Sequence, residues 1–204
     1  MQPHAHINGR YRSGADYEVP AVDFAASAME LAKIGFHVFP LKVNEKVPAL
    51  SKAEGGQGFK DATIQPALIR EQGQRFPHAN VGIRTGAESG VIIIDVDPRN
   101  GGNETLKAML AEAGCALPEN TPTALTGNGG RHYFFAYEPG IGCSNNRLGP
   151  GIDVKSDGGY VVVSPSIIGP SKNGPGGPYK WTCVAVRCSA GAIARVATRA
   201  APAL

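Results

Sequence analysis

One heptapeptide does most to limit the folds open to this chain: Val91-Ile92-Ile93-Ile94-Asp95-Val96-Asp97. Four apolar β-formers run straight into two alternating carboxylates. Side chains on a strand alternate faces, so Asp95 and Asp97 point one way while Ile92, Ile94 and Val96 point the other. Two carboxylates side by side repel. Their ionised forms call for a compensating positive charge, and a divalent cation is the usual one. The stretch therefore reads as a Mg²⁺ or Mn²⁺ site fixed to a strand. It reads equally as a solvated strand end leading into Pro98, with the Asp side chains serving the turn.

The remaining elements follow from periodicity. Residues 21–34 predict a helix, with Ala25, Ala28, Met29 and Ala32 on one face and Gly35 as its stop. Phe36 to Leu41 reads as a strand, and Lys42 to Lys60 as a Gly- and Lys-rich loop. Thr63 is placed to cap a second helix, with Pro66 in its first turn and Leu68, Ile69 and Phe76 facing inward. Asn80 to Thr85 is a short strand. Asn103 is placed to cap a third helix over 104–113, ended by Gly114. Thr123 to Thr126 and Arg131 to Tyr137 predict two strands joined by Gly127-Asn128-Gly129-Gly130. Ile152 to Lys155 and Tyr160 to Ser164 predict another pair, joined by Ser156-Asp157-Gly158-Gly159. Helices come early and hairpins dominate later. That order predicts an α+β fold, a mixed or antiparallel sheet with helices packed on it, rather than a βαβ series. The organisation expected is a loose polar leader over 1–19, one domain over 20–182, and a tail or short helix over 183–204.

Composition excludes little. With 27 Gly and 16 Pro the chain favours turns and short elements. A net charge of +3 permits a nucleic-acid partner without arguing for one. The cysteines Cys115, Cys143, Cys183 and Cys188 fit no common zinc spacing and read as free thiols. No apolar run reaches membrane-spanning length. The expected setting is the cytoplasm, with no membrane partner.

Three further stretches can carry chemistry. Asp153, in Gly151-Ile152-Asp153-Val154-Lys155, faces opposite to its apolar neighbours and shares its face with Lys155. Beside Asp95 and Asp97 it supplies a third carboxylate. Three carboxylates suffice for two Mg²⁺ or Mn²⁺ ions when phosphates and waters complete the shells. Next, Gly129-Gly130-Arg131-His132 can bring a phosphate close to backbone N–H groups and add charge to it. Arg131 and His132 alternate, so one of them faces away from any single site. His132 also reads as a half-buried histidine satisfied by its neighbours. Finally, Arg84 and the loop residues Lys46 and Lys60 are basic. Lys46 and Lys60 border a Gly-rich segment that could close over a nucleotide or template strand. Tyr133, Phe135 and Tyr137 form a one-sided stripe that reads as core.

In order and spacing these pieces resemble the N-terminal domain of bifunctional DNA primase/polymerases, in the archaeo-eukaryotic primase superfamily. The resemblance runs through Gly35-Phe36-His37-Val38-Phe39-Pro40-Leu41, Lys46-Val47-Pro48, Asn80-Val81-Gly82-Ile83-Arg84-Thr85-Gly86, and Asp95-Val96-Asp97. It continues through Gly129-Gly130-Arg131-His132 to Gly149-Pro150-Gly151-Ile152-Asp153-Val154-Lys155 and Asp157-Gly158-Gly159-Tyr160. It implies a primase-like fold with a catalytic core like that of RNA-recognition motifs. It implies that Asp95, Asp97 and Asp153 bind two divalent ions. It implies that His132 contacts the phosphates of an incoming dNTP or NTP, with Arg131, Gly130, Gly129, Arg84 and Lys155 as further nucleotide contacts. Lys46 and Lys60 would contact nucleic acid. Gly130 departs from the family pattern, which often has Ser there. The partners implied are single-stranded or primed DNA, and a helicase encoded separately or in a continuation of the chain. Two other functions use the same residues. A metal-dependent nuclease would degrade DNA without added nucleotides, and a non-catalytic binding remnant would tolerate loss of Asp95.

Overall fold

A computed structural model describes residues 10–12 and 18–183. Near the start, β1 (Arg10–Arg12) pairs antiparallel with β2 (Glu18–Pro20). Helix α1 (Phe24–Lys33) leads into β3 (Val38–Leu41), and α2 (Pro66–Arg75) into β4 (Asn80–Arg84) and β5 (Val91–Val96). After α3 (Gly102–Glu112) come β6 (Thr123–Leu125), β7 (Arg131–Ala136), β8 (Ser144–Asn145), β9 (Ile152–Lys155) and β10 (Tyr160–Val163). The last strands described are β11 (Ile167–Ile168), β12 (Gly177–Pro178) and β13 (Lys180–Cys183). The expected tail over 183–204 lies, apart from Cys183, outside the described residues.

The strands build two main sheets, both antiparallel. One has three strands in the order β10-β4-β3, the other six in the order β13-β6-β7-β5-β9-β8. Period-2 alternation then sorts side chains into three cores. Between the sheets, Val38, Val81, Ile83, Val161 and Val163 meet Val91, Ile93 and Phe134, joined by Phe24, Ala28 and Leu31 of α1 and Ile69 of α2. On the far face of the large sheet, Ile92, Ile94, Val96, Phe135, Ile152 and Val154 pack with Leu106 and Met109 of α3. On the far face of the small sheet, Phe39, Leu41 and Val162 are covered by Phe59, Ile168 and Tyr179. Burying both faces explains why β5 reads as an almost unbroken apolar run. Pro40 sits in β3, the edge strand of its sheet, where a missing N–H costs no ladder bond.

The α+β architecture is as the sequence predicts. Several local expectations are corrected. Asp23 caps α1, its carboxylate accepting from the Ala26 N–H at 3.0 Å. Gln65, not Thr63, occupies the cap position of α2; the Thr63 hydroxyl accepts from the Gln65 N–H just outside it. Leu68 is 41% exposed because it lies on the face of α2 turned away from α1. Helix α3 starts one residue before Asn103, with Gly101 in a left-handed conformation at its cap. The strands β9 and β10 are not a hairpin. β9 pairs with β5 and β8, β10 pairs with β4, and the Ser156–Gly159 turn carries the chain from one sheet to the other.

Candidate active site

The site is a row across three strands. Asp95 of β5 lies in register with His132 of β7 on one side and Asp153 of β9 on the other. Residues directly opposite share a face, so all three side chains leave the same side of the large sheet. That side carries the inter-sheet core farther along the strands, through Val91, Ile93 and Phe134. His132 Nε2 lies 3.5 Å from Asp95 Oδ1. Its ring is 4% exposed, and its Nδ1 is buried with no hydrogen-bond partner. Asp153 accepts from Lys155 Nζ at 3.0 Å and from the Asn146 N–H at 3.1 Å.

Electrostatics favour an ionised Asp95. Burial alone would raise its carboxyl; contact with His132 and the charges of Lys46 and Lys155 outweigh that and hold it below the usual range. Lys46 thus belongs to the site although it comes from a distant loop. Tyr179 was invisible in the sequence. It is 2% exposed, its ring centroid is 5.8 Å from that of His132, and burial together with the Asp95 charge pushes its phenol upward. It arrives from the far end of the chain, and no local pattern marks it.

Asp97 follows β5 and is held differently. Its Oδ1 accepts from the Arg99 N–H at 3.0 Å and Arg99 Nε at 2.9 Å. Its Oδ2 accepts from Arg99 Nη2 at 2.7 Å and Asn100 Nδ2 at 3.0 Å. It caps the short 3-10 turn Pro98–Asn100, so the turn-serving alternative describes what its carboxylate does here. The backbone beside it depends on Gly151, at φ +73°, where a Cβ would fall 2.7 Å from the Asp97 carbonyl oxygen. That approach lets the Asp97 N–H donate to the Gly151 carbonyl at 2.8 Å, extending the β5–β9 pairing by one step.

Asp97 and Lys46 line one cleft of about 890 Å³, with Arg99, Asn128, Ser171 and Lys172 among the other walls. Its walls set Lys46, Arg99 and Lys172 against Glu45 and Asp97, a small positive excess with amides beside it. The glycine-rich turn contributes less than expected. The Gly130 N–H donates to Thr126 Oγ1 at 3.0 Å and the Gly129 N–H to the Thr126 carbonyl at 3.0 Å, so both serve the hairpin. Arg131 pairs with Val96 and therefore faces the α3 side, away from His132. Arg84 is paired with Glu88 and lies over the Phe59 ring. Lys60 is exposed on the 3-10 turn Gly58–Asp61 and lines no part of the cleft.

Hard carboxylate oxygens are the donors Mg²⁺ and Mn²⁺ prefer, so Asp95 and Asp153 fit such an ion by chemistry and by register. Among the described residues, however, no three His, Cys, Asp or Glu side chains form a ready ligand set. Arg99 occupies the Asp97 carboxylate and Lys155 one oxygen of Asp153 instead.

No helix of the described residues is long and apolar enough to cross a membrane. No curated protein matches the chain. The family model for the N-terminal domain of bifunctional DNA primase/polymerases, Prim-Pol, matches residues 28–196. This span takes in both sheets, all of the Asp95 row and the cleft beside it. Most of the chain is thereby accounted for, and it belongs to the bifunctional DNA primase/polymerase N-terminal family, whose general activity is nucleotidyl transfer of the primase/polymerase type.

Proposed function

We propose that this domain adds nucleotides to a growing strand under the direction of a DNA template, with Asp95 at the reacting centre. The observation that carries the proposal is the in-register row of His132, Asp95 and Asp153. It sets two carboxylates and an imidazole on neighbouring strands beside a cleft that carries Lys46, Arg99 and Lys172. Asp95 and Asp153 would hold divalent Mg²⁺ or Mn²⁺, with Asp97 joining once Arg99 releases it. Such ions, when bound, supply positive charge for the α-phosphate and for the departing pyrophosphate.

The chain's own residues do the rest. Lys46, Arg99 and Lys172 neutralise the triphosphate in the cleft. His132, wedged against Tyr179 and Phe134, presents a donor at a fixed position beside Asp95. The ionised Asp95 is ready to accept the proton of an attacking hydroxyl or a cation in its place. Positioning and charge account for catalysis in phosphoryl-type transfers, and a preorganised sheet provides both.

The test is incorporation of labelled nucleotides on a single-stranded template, with and without primer, in Mn²⁺ or Mg²⁺. Template-dependent products that vanish with Asp95→Ala support the proposal. Degradation of template without added nucleotides would point to the nuclease alternative. Binding that survives Asp95→Ala with no product would point to a non-catalytic module.

A further inference from the structure

Asn80, the first residue of β4, is 1% exposed, yet it touches neither the Asp95 row nor the cleft surface. Its side chain spends every bonding group on backbone from two other segments. Nδ2 donates to the Glu45 carbonyl at 3.1 Å and to the Ile167 carbonyl at 2.7 Å. Oδ1 accepts from the Ile167 N–H at 2.9 Å. Glu45 lies between Asn44 and Lys46 on one wall of the cleft, and Ile167 directly precedes Ile168 and Gly169 on the other. The two walls also meet along their backbones, where Asn44 forms a parallel bridge with Ile168 and its carbonyl accepts from the Gly169 N–H at 2.9 Å, and the Tyr160 hydroxyl donates to the Lys46 carbonyl at 2.9 Å. A carboxylic side chain of the same shape would lack the two donors, and an apolar one would take the partner from all three backbone groups.

We propose that Asn80 is a positioning residue for nucleotide binding. It clamps the 44–47 loop to the 167–174 segment and so holds Lys46 in the wall of the cleft, where it meets the triphosphate. The inference rests on the nucleotide-transfer function proposed above. It predicts that the residue acts through Lys46 and on substrate affinity, not on the chemical step.

The experiment pairs hydrogen exchange with kinetics on Asn80→Asp and on the milder Asn80→Ser, which keeps one donor. Exchange should rise at 42–48 and 166–174 while α3, β5 and β7 stay as in the parent chain. The KM for nucleotide should rise about tenfold with kcat changed much less. In a Lys46→Ala background, loss of Asn80 should add little, since both substitutions remove one interaction. Uniformly faster exchange, unchanged exchange at both walls, a fall in kcat at constant KM, or full additivity with Lys46→Ala would each overturn it. A parent chain that incorporates no nucleotide would sink the transfer function alone. The exchange pattern at the two walls would still decide whether Asn80 is their clamp.

Discussion

At Asp95 two opposed effects meet, and at Asp97 they separate. Burial works against the charge of Asp95, while His132, Lys46 and Lys155 sustain it. Asp97 has its own guanidinium, with the Arg99 N–H and the Asn100 amide beside it. The two should therefore respond differently to neutralisation. Asp95→Asn should lower nucleotide incorporation by on the order of 10²–10³-fold, read by single-turnover primer extension, with the fold kept. Asp97→Asn should leave its clearest mark on stability at low pH. The side-chain hydrogen bond from Arg99 leads the interactions that hold the Asp97 carboxyl below the usual carboxylate range, against the opposing effect of burial. A carboxyl lowered on folding stabilises the native state fully above its unfolded value of about 4, and that benefit fades as pH falls through the lower folded value. Thermal melts in metal-free buffer, run from about pH 6 down to pH 2, should show a shallower acid decline in Asp97→Asn than in the parent. Parity along a strand was enough to align Asp153 with Lys155 from the sequence, and to set Arg131 apart from His132. Parity says nothing about which partner a carboxylate finds, so Arg99 on Asp97 was hidden. Tyr179 was hidden for another reason: its place depends on a long-range return of the chain.

At the scale of elements, helix starts were misjudged where small polar residues lie near the true cap, as at Thr63 and Asn103. The strands β3–β7, β9 and β10 were legible, since period 2 and glycine turns mark them, and so was the β6–β7 hairpin; the short β1, β2, β8, β11, β12 and β13 and the partners of β9 and β10 were not. The Ser156–Gly159 turn looks like a hairpin turn but serves as a crossover, a distinction set by which sheet has room for β10. The α1–α2 contact gives a prediction in which two effects compete. Replacing a helical glycine by alanine favours a helix by about 1 kcal/mol. A Cβ on Gly73 would sit 2.6 Å from the Ala25 Cβ, however, and would force the two helices apart. Overpacking of that kind costs about 1–3 kcal/mol, so Gly73→Ala should destabilise the domain in urea unfolding. Ala25→Gly in the same chain should recover part of the loss.

For the molecule as a whole, the path of the chain matters more than any one contact. It passes from small sheet to large sheet between β4 and β5, back between β9 and β10, and to the large sheet once more at β13, so neither sheet is a contiguous segment. The sheets also share the core around Ile93, which is fully buried. They should therefore unfold together. Trp181, the single tryptophan, reports on β13 and the shared core, and its fluorescence should melt at the same midpoint as far-ultraviolet dichroism. Ile93→Ala should lower both midpoints together, at a cost of about 2–5 kcal/mol. Separate transitions would show that the sheets are independent units. The cross-strand row has a consequence for how such a protein can vary. His132, Asp95 and Asp153 come from three strands, and each faces the site only because its strand keeps the right odd or even count. Segments outside the ladders, such as 113–122 or 137–143, can lengthen or shorten without disturbing that count. One residue inserted within β7 or β9 beside the row would turn His132 or Asp153 to the α3 side, leaving a chain of nearly the same composition with its chemistry facing the wrong way.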